Sequence, residues 1–136
     1  MTRLVDMGVE PFLLASSLIG VGAQRLVRRL CMDCRKPFAA DAAQLRALGL
    51  TPTDGTLYSA RGCAACNGTG YRGRTGIYEL LSVDDDLRRL IHDRASEQTL
   101  REHAQSHGMR SLRDDGMRWA GQGLISLEEV VRVTRE

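Results

Sequence analysis

Two C-x-x-C pairs, Cys31/Cys34 and Cys63/Cys66, hold all four cysteines of the chain, with 28 residues between Cys34 and Cys63. Each pair sits among turn-forming residues. A C-x-x-C turn delivers two thiolates from one knuckle, and two knuckles complete the four-coordinate tetrahedron that zinc prefers. Such a set leaves no position for water or substrate, so its expected role is to hold shape. Two other states of the same cysteines stay open: disulfides, or free and redox-active thiols. Disulfides suit an oxidising compartment, and no signal-peptide pattern opens this chain. His92, His103 and His107 lie far downstream in polar helical stretches, where they read as surface or partly buried residues and not as ligands.

Size and charge narrow the classes. At 136 residues the chain is one domain's worth, or one domain piece carrying an insertion. Its 19 basic and 17 acidic residues leave a net charge of +2, too even for a nucleic-acid binder recognised by charge. All the basic residues but Lys36 are Arg, the side chain with a rigid fork for phosphate and carboxylate. The longest apolar run, Pro11 to Ala23, is interrupted by Ser16, Ser17, Gly20 and Gly22 and reads as a buried helix, not a membrane span. The chain is therefore expected to be soluble and to meet a membrane only through partners.

Start and stop signals divide the rest. Thr2 to Met7 reads as the end of a helix stopped by Gly8, and Pro11 opens a second helix where its missing N–H costs nothing. An apolar half-helix with no preceding cap reads as a piece of a larger chain, with Met1 a start supplied to that piece. Gln24 to Leu30 and Thr75 to Leu81 are strand candidates that flank the cysteine region and pair most simply as an antiparallel hairpin. The cysteine insertion would sit at its tip, the metal standing in for a core that so short a segment cannot build. Within it, Asp41 with Gln44 is a capping box for a helix from Ala42 to Leu48 ended by Gly49; Thr51 to Gly55 is loop; Leu57 and Tyr58 pair briefly. The four glycines from Gly68 to Gly76 predict sharp turning. After Ser82 the chain is helical. Ser82/Asp85, Ser111/Asp114 and Ser126/Glu129 match capping-box spacing, Ser96 caps another helix, and Gly108, Gly121 and Gly123 mark stops. Leu87/Leu90/Ile91 and Leu127/Val130/Val131 form apolar stripes, and Trp119 reads as a core anchor. The run Asp84 to Asp86 reads as helix N-terminal charge.

No phosphate loop, Walker-B acid or nucleophile–base set occurs, so the chain carries no catalytic centre of its own. Arg74-x-Gly76-x-x-Glu79, preceded by Arg72, could present an arginine to a phosphate or an acidic group on a neighbour. From spacing alone, an ion pair of Arg72 or Arg74 with Glu79 is the favoured reading.

Longer runs carry a resemblance. Leu4-Val-Asp-Met-Gly-Val-Glu-Pro-Phe-Leu-Leu-Ala-Ser-Ser-Leu, Ala23-Gln-Arg-Leu-Val-Arg-Arg-Leu-Cys31, Gly70-Tyr-Arg-Gly-Arg-Thr-Gly-Ile-Tyr-Glu-Leu-Leu81 and Gly108-Met-Arg-Ser-Leu-Arg-Asp-Asp-Gly116 resemble, in order, the C-terminal part of the type II secretion ATPases. Those belong with the type IV pilus assembly motors. The resemblance implies an α+β fold, the C-terminal fragment of a RecA-like motor domain. It divides into the end of the ATPase core (1–30), a tetracysteine zinc subdomain (31–73), a returning strand (74–82) and a C-terminal helical bundle (83–136). It further implies structural zinc on Cys31, Cys34, Cys63 and Cys66, and a nucleotide-phosphate contact from Arg74. ATP and Mg2+ would be held by the full-length parent, a cytoplasmic hexamer at the inner membrane. Its partners would be other ATPase subunits and inner-membrane secretion-platform proteins, with no direct contact to nucleic acid. The family's Walker motifs, aspartate box and histidine box are absent from these residues, so the piece should not hydrolyse ATP alone.

Two readings compete. Cys63-x-x-Cys66-x-Gly68-x-Gly70 resembles one repeat of the zinc domain of the chaperone DnaJ, which would make the chain a zinc-ribbon-like module for nucleic acid or unfolded protein. Only one such unit occurs, and no aromatic-studded basic face accompanies it. A truncated gene product without activity of its own is the third reading.

Overall fold

The structure, a computed structural model, describes residues 2–47, 50 and 56–134. Along the chain run α1 (Thr2–Asp6), α2 (Pro11–Ser17), β1 (Gly20–Leu30), β2 (Lys36–Phe38), α3 (Ala42–Ala47), β3 (Leu57–Ser59), β4 (Tyr71–Ser82), α4 (Asp85–His92), α5 (Glu97–Ser106), α6 (Leu112–Gly121) and α7 (Leu127–Thr134). This is an α+β chain, as expected. β1 pairs with β4, and β2 with β3. A Cβ on Gly20 would lie 3.1 Å from the Leu81 carbonyl, and the Cys31 amide donates to the Gly70 carbonyl at 2.9 Å. Numbers rise along β1 as they fall along β4, so the pair is antiparallel. β2 and β3 are antiparallel too, in register Lys36–Ser59, Pro37–Tyr58 and Phe38–Leu57. Among the described residues no helix is long and apolar enough to cross a membrane.

The chain forms two compact units, Met1–Ala23 with Leu80–Arg110 and Gln24–Glu79 with Ser111–Glu136. In the first, Leu14 and Ala15 of α2 bury against Val83, Leu87 and Ile91, so the α4 stripe meets its partner there. The Arg88 guanidinium donates to the Ala15 carbonyl at 2.8 Å, satisfying an end-of-helix acceptor that α2 cannot pair internally. The run Pro11–Ala23 is not one buried helix. α2 stops at Ser17, where the Ser16 and Ser17 hydroxyls bond back to the Leu13 carbonyl, and Phe12, Leu13 and Ile19 stay exposed.

In the second unit, Val27 and Ile77 from the long strands bury with Leu45, Leu50, Leu57, Met117, Ala120, Ile125, Leu127 and Val130. Trp119 packs on the edge of that core. The cysteine insertion therefore has apolar support: Leu45, Leu50 and Leu57 bury with side chains of α6 and α7. Gly116 is what lets those two helices close, because a Cβ there would stand 3.1 Å from Val130 Cγ1. The four helices after Ser82, read from the sequence as one bundle, are shared between the two units.

Helix ends follow their punctuation with three exceptions, at Ser82, Gly121 and Ser126. Ser96 and Ser111 cap α5 and α6, the latter with the reciprocal Asp114 bond, and Gly8, Gly108 and Gly123 take positive φ at helix stops. Gly123 and Leu124 amides return to Ala120 and Trp119 carbonyls, the paired bonds of a glycine-terminated helix, while Gly121 stays helical. Ser82 caps nothing: it ends β4, and Asp84 caps α4 by accepting from the Leu87 amide at 2.7 Å. Ser126 accepts from the Glu129 amide, but the Glu129 carboxylate does not return the bond. Sharp turning is confined to Gly68 and Gly70, with Gly73 left-handed inside β4. The expected helix end at Leu48 and Gly49, and the loop Thr51–Gly55, lie outside the described residues.

Glu129 has another task. Its side chain is fully buried, and it accepts from the Arg28 amide (2.9 Å), the Arg28 guanidinium (2.6 Å) and the Arg132 guanidinium (2.7 Å). Burial pushes this carboxyl upward, but the bonds from Arg132 and Arg28 outweigh it and hold it at about 2. A depressed folded value stabilises the fold above the unfolded carboxyl value and is lost as pH falls toward the folded one. The shift corresponds to about 3 kcal/mol. Glu129→Gln should therefore destabilise the second unit by roughly that amount at pH 7, and should flatten the loss of stability that the unaltered protein shows between about pH 4.5 and 2. Denaturant unfolding across that range checks it; an unchanged acid slope in the variant would contradict the assignment.

Candidate metal centre

Each cysteine pair is set by backbone bonds that its own turn residues allow. Cys31 follows directly on β1, and the amides of Cys34 and Arg35 bond to its carbonyl at 3.3 and 3.0 Å, forming the first knuckle. The second opens on extended Cys63, passes a 3-10 turn over Ala64–Cys66, and reverses through Asn67 at φ 51 and ψ 41. The Gly68 amide closes it on the Cys63 carbonyl at 2.8 Å. Two glycines permit the approach. Gly62 has φ +110, and a Cβ there would collide with the Gly68 carbonyl oxygen; at Gly70, φ +76, it would lie 2.7 Å from Ala60 Cβ.

These turns bring all four Sγ atoms within 4.8 Å of one another. Cys31–Cys63 and Cys34–Cys66 are both 3.9 Å apart and Cys63–Cys66 3.7 Å, and all four cysteines are free. A disulfide requires about 2.05 Å. A tetrahedron with zinc–sulfur bonds of ~2.3 Å has edges of ~3.8 Å, which is the spacing seen here. The surrounding donors fit as well: the Gly62 amide points at Cys34 Sγ (3.3 Å), and those of Cys63 (3.2 Å) and Gly70 (3.1 Å) at Cys66 Sγ. Amides aimed at sulfur favour the thiolate that a metal needs. Burial pushes the Cys34 thiol up to about 11; at Cys66 burial also acts upward, yet the Cys63 and Gly70 amides bring it down to about 6. The residues thus suit one soft, four-coordinate ion that supplies cross-linking and no reactive position.

The first knuckle is anchored beyond the sulfurs. Arg35 stacks its guanidinium 4.1 Å over the Tyr58 ring and donates to the Gly123 carbonyl, while the Leu30 amide bonds to the Leu124 carbonyl at 2.8 Å. Strand β2, which carries Lys36–Phe38 against β3, had no sequence signal beyond the brief pairing expected of Leu57 and Tyr58, because Pro37 argues against a strand.

Arg74 is exposed on β4, two residues from Gly76, where a Cβ would strike the Tyr78 ring. The expected ion pair of Arg72 or Arg74 with Glu79 does not form. Glu79 instead accepts from the Leu112 amide at 3.2 Å, at the start of α6, where free N–H groups attract a carboxylate. His92 is exposed beside Asp93. His103 and His107, read from the sequence as bystanders, gather with Asp84 in the first unit; their four-residue spacing was the available signal.

Two C-x-x-C turns closing four sulfurs beside a long antiparallel strand pair define a cysteine-knuckle α+β domain. The sequence profile of the family described as "Type II/IV secretion system protein" matches residues 1–132, and the chain belongs to that family. It is 57% identical over 136 residues to "Type II secretion system protein E" of Pseudomonas aeruginosa, covering 99% of this chain and 27% of that protein. It is 54% identical to "Type II secretion system ATPase E" of Vibrio cholerae, with the same coverage, 99% and 27%. "Type IV pilus assembly ATPase PilB" of Thermus thermophilus is 47% identical over 99% of this chain and 16% of its own length. The chain thus spans about a quarter of the type II proteins it matches.

Because the insertion shares its core with α6 and α7, loss of one sulfur should loosen the second unit and spare the first. In Cys63→Ser, hydrogen exchange should speed up across residues 57–70 and 112–134 and stay unchanged across 85–106. Equal acceleration in both units, or none, would contradict that coupling.

Proposed function

We propose that this chain is the zinc-bearing C-terminal section of a RecA-like ATPase that powers type II protein secretion by driving pseudopilus assembly. The observation that carries the reading is the four-sulfur cluster, spaced for a tetrahedral ion, within a chain that belongs to the secretion family throughout. Zinc on Cys31, Cys34, Cys63 and Cys66 would be structural, presenting the insertion as a rigid surface for docking and subunit assembly. The parent would be a cytoplasmic hexamer, held at the inner membrane through platform proteins and binding ATP and Mg2+ through residues outside this chain. Identity to type II proteins runs from 48 to 57% against 47% to the pilus ATPase, so the higher matches to the Pseudomonas aeruginosa and Vibrio cholerae proteins favour secretion over pilus assembly.

Arg74 would contact nucleotide phosphate in that assembly. Its exposure on β4, with Glu79 engaged elsewhere, supports the role. A lone arginine does not make a nucleotide site, so residues 1–136 should bind no ATP tightly and hydrolyse none.

Three measurements check this. Metal analysis of the purified chain should give about one zinc per molecule; a value near zero removes the structural-zinc reading. Equilibrium dialysis with ATP should show no tight binding, and tight binding would overturn the placement of the nucleotide outside the piece. In the full-length hexamer, Arg74→Ala should lower ATP hydrolysis about tenfold or more, the loss expected when a charged hydrogen bond of ~1.5–3 kcal/mol disappears. Unchanged hydrolysis would exclude the phosphate contact.

A further inference from the structure

The first unit gathers a second set of ligand-type side chains, chemically unlike the four thiols. Asp84 caps α4 and accepts one bond from the Leu87 amide, leaving most of its carboxylate lone pairs for other partners. His103 projects from α5 so that Nε2 lies 3.1 and 3.0 Å from the two Asp84 oxygens. Its side chain is only 14% exposed, so the imidazole is held and not free to wander. One turn further, His107 stacks on it with ring centroids 4.2 Å apart and planes 25° apart. The three residues can each offer one ligand atom with all three atoms within 4.8 Å.

The orientation of His107 adds an independent pointer. Its Nδ1 lies 2.9 Å from the His103 carbonyl and 3.0 Å from Ser106 Oγ. A carbonyl only accepts, so Nδ1 carries the proton and Nε2 keeps its lone pair. A backbone carbonyl fixing one imidazole nitrogen while the other faces outward is how metal-binding histidines are commonly held. Histidines four apart on one helix face give the spacing used for a shared ion. The charge environment agrees. Asp85 and Asp86 line the same open depression with Asp84 and His107; Arg89, which also lines it, is paired with Asp86, and Arg88 with Asp85.

We propose that Asp84, His103 and His107 form a divalent transition-metal site of two imidazole nitrogens and one carboxylate oxygen. Two nitrogen donors select zinc, nickel or cobalt over magnesium or calcium, which take oxygen. Three protein ligands leave at least one position for water, so this ion exchanges where the cysteine-bound one is locked in. The ion takes the place of the hydrogen bond between His103 Nε2 and Asp84: the neutral ring's single proton sits on Nδ1 in the bound state, which leaves the Nε2 lone pair for the metal. Bound there, it staples the start of α4 to the end of α5.

The test is zinc titration of the whole chain, followed by long-range 1H–15N spectra of the histidine rings. Zinc should move the ring nitrogens of His103 and His107 and leave those of His92 in place. This readout does not depend on whether the cysteines hold zinc. His107→Ala and Asp84→Asn should each weaken the response at least about tenfold, the lower bound seen even for outer partners of a metal ligand. Asn caps a helix as well as Asp does, so the second variant removes a ligand charge and spares α4. Unmoved His103 and His107 rings, or a response of equal affinity in both variants, would overturn the proposal.

Discussion

Four sulfurs drawn from two distant turns crowd into a space that thiolates alone would not share. Mutual repulsion and desolvation oppose the cluster, and burial raises the Cys34 thiol accordingly. A dication removes that opposition, and its binding free energy becomes folding free energy for the turns that hold the ligands. Much of the second unit depends on this closure. Cys31 hydrogen-bonds to Gly70 across the base of the insertion, Gly62 and Gly70 supply backbone conformations no bulkier residue tolerates, and Arg35 carries the first knuckle onto the turn after α6.

The insertion is not a free-standing zinc module. Leu45, Leu50 and Leu57 bury with Met117, Ala120 and Val130, so the apolar core holds the same segment that the cysteine cluster closes. Glu129 adds a third restraint, with its buried carboxylate fully engaged by Arg28 and Arg132. Arg28 also lies 4.1 Å over the Tyr71 ring, and the Tyr71 hydroxyl meets Ser126 at 3.1 Å. A buried carboxylate tolerates only partners placed correctly, which favours one seating of α7 over sliding alternatives.

The sequence was most informative where one residue's chemistry decides a local outcome. Glycine stops at Gly8, Gly108 and Gly123, serine caps at Ser96 and Ser111, and the apolar stripes of α4 and α7 were all legible, because each rests on neighbours within one helical turn. Each C-x-x-C knuckle was legible in the same local way, and the four-ligand preference of zinc is what joined the two knuckles across 28 residues. Local reading failed where a residue had two possible partners. Ser82 was the expected cap of α4, but strand pairing claimed it and Asp84 caps the helix instead. Glu79 left a nearby arginine for the α6 terminus, and Glu129 left its own helix cap for Arg28, 101 residues away. Asp84 and His103 stand 19 residues apart on separate helices, so no local pattern joined them. Long-range choices of this kind are settled by tertiary packing, which local spacing does not encode.

The central claim is that one ion sits among Cys31, Cys34, Cys63 and Cys66. X-ray absorption at the zinc edge on protein freed of weakly held metal addresses it most directly. The account predicts a first shell of four sulfur scatterers at about 2.3 Å. A shell containing nitrogen or oxygen in place of sulfur, or no retained zinc at all, would contradict it.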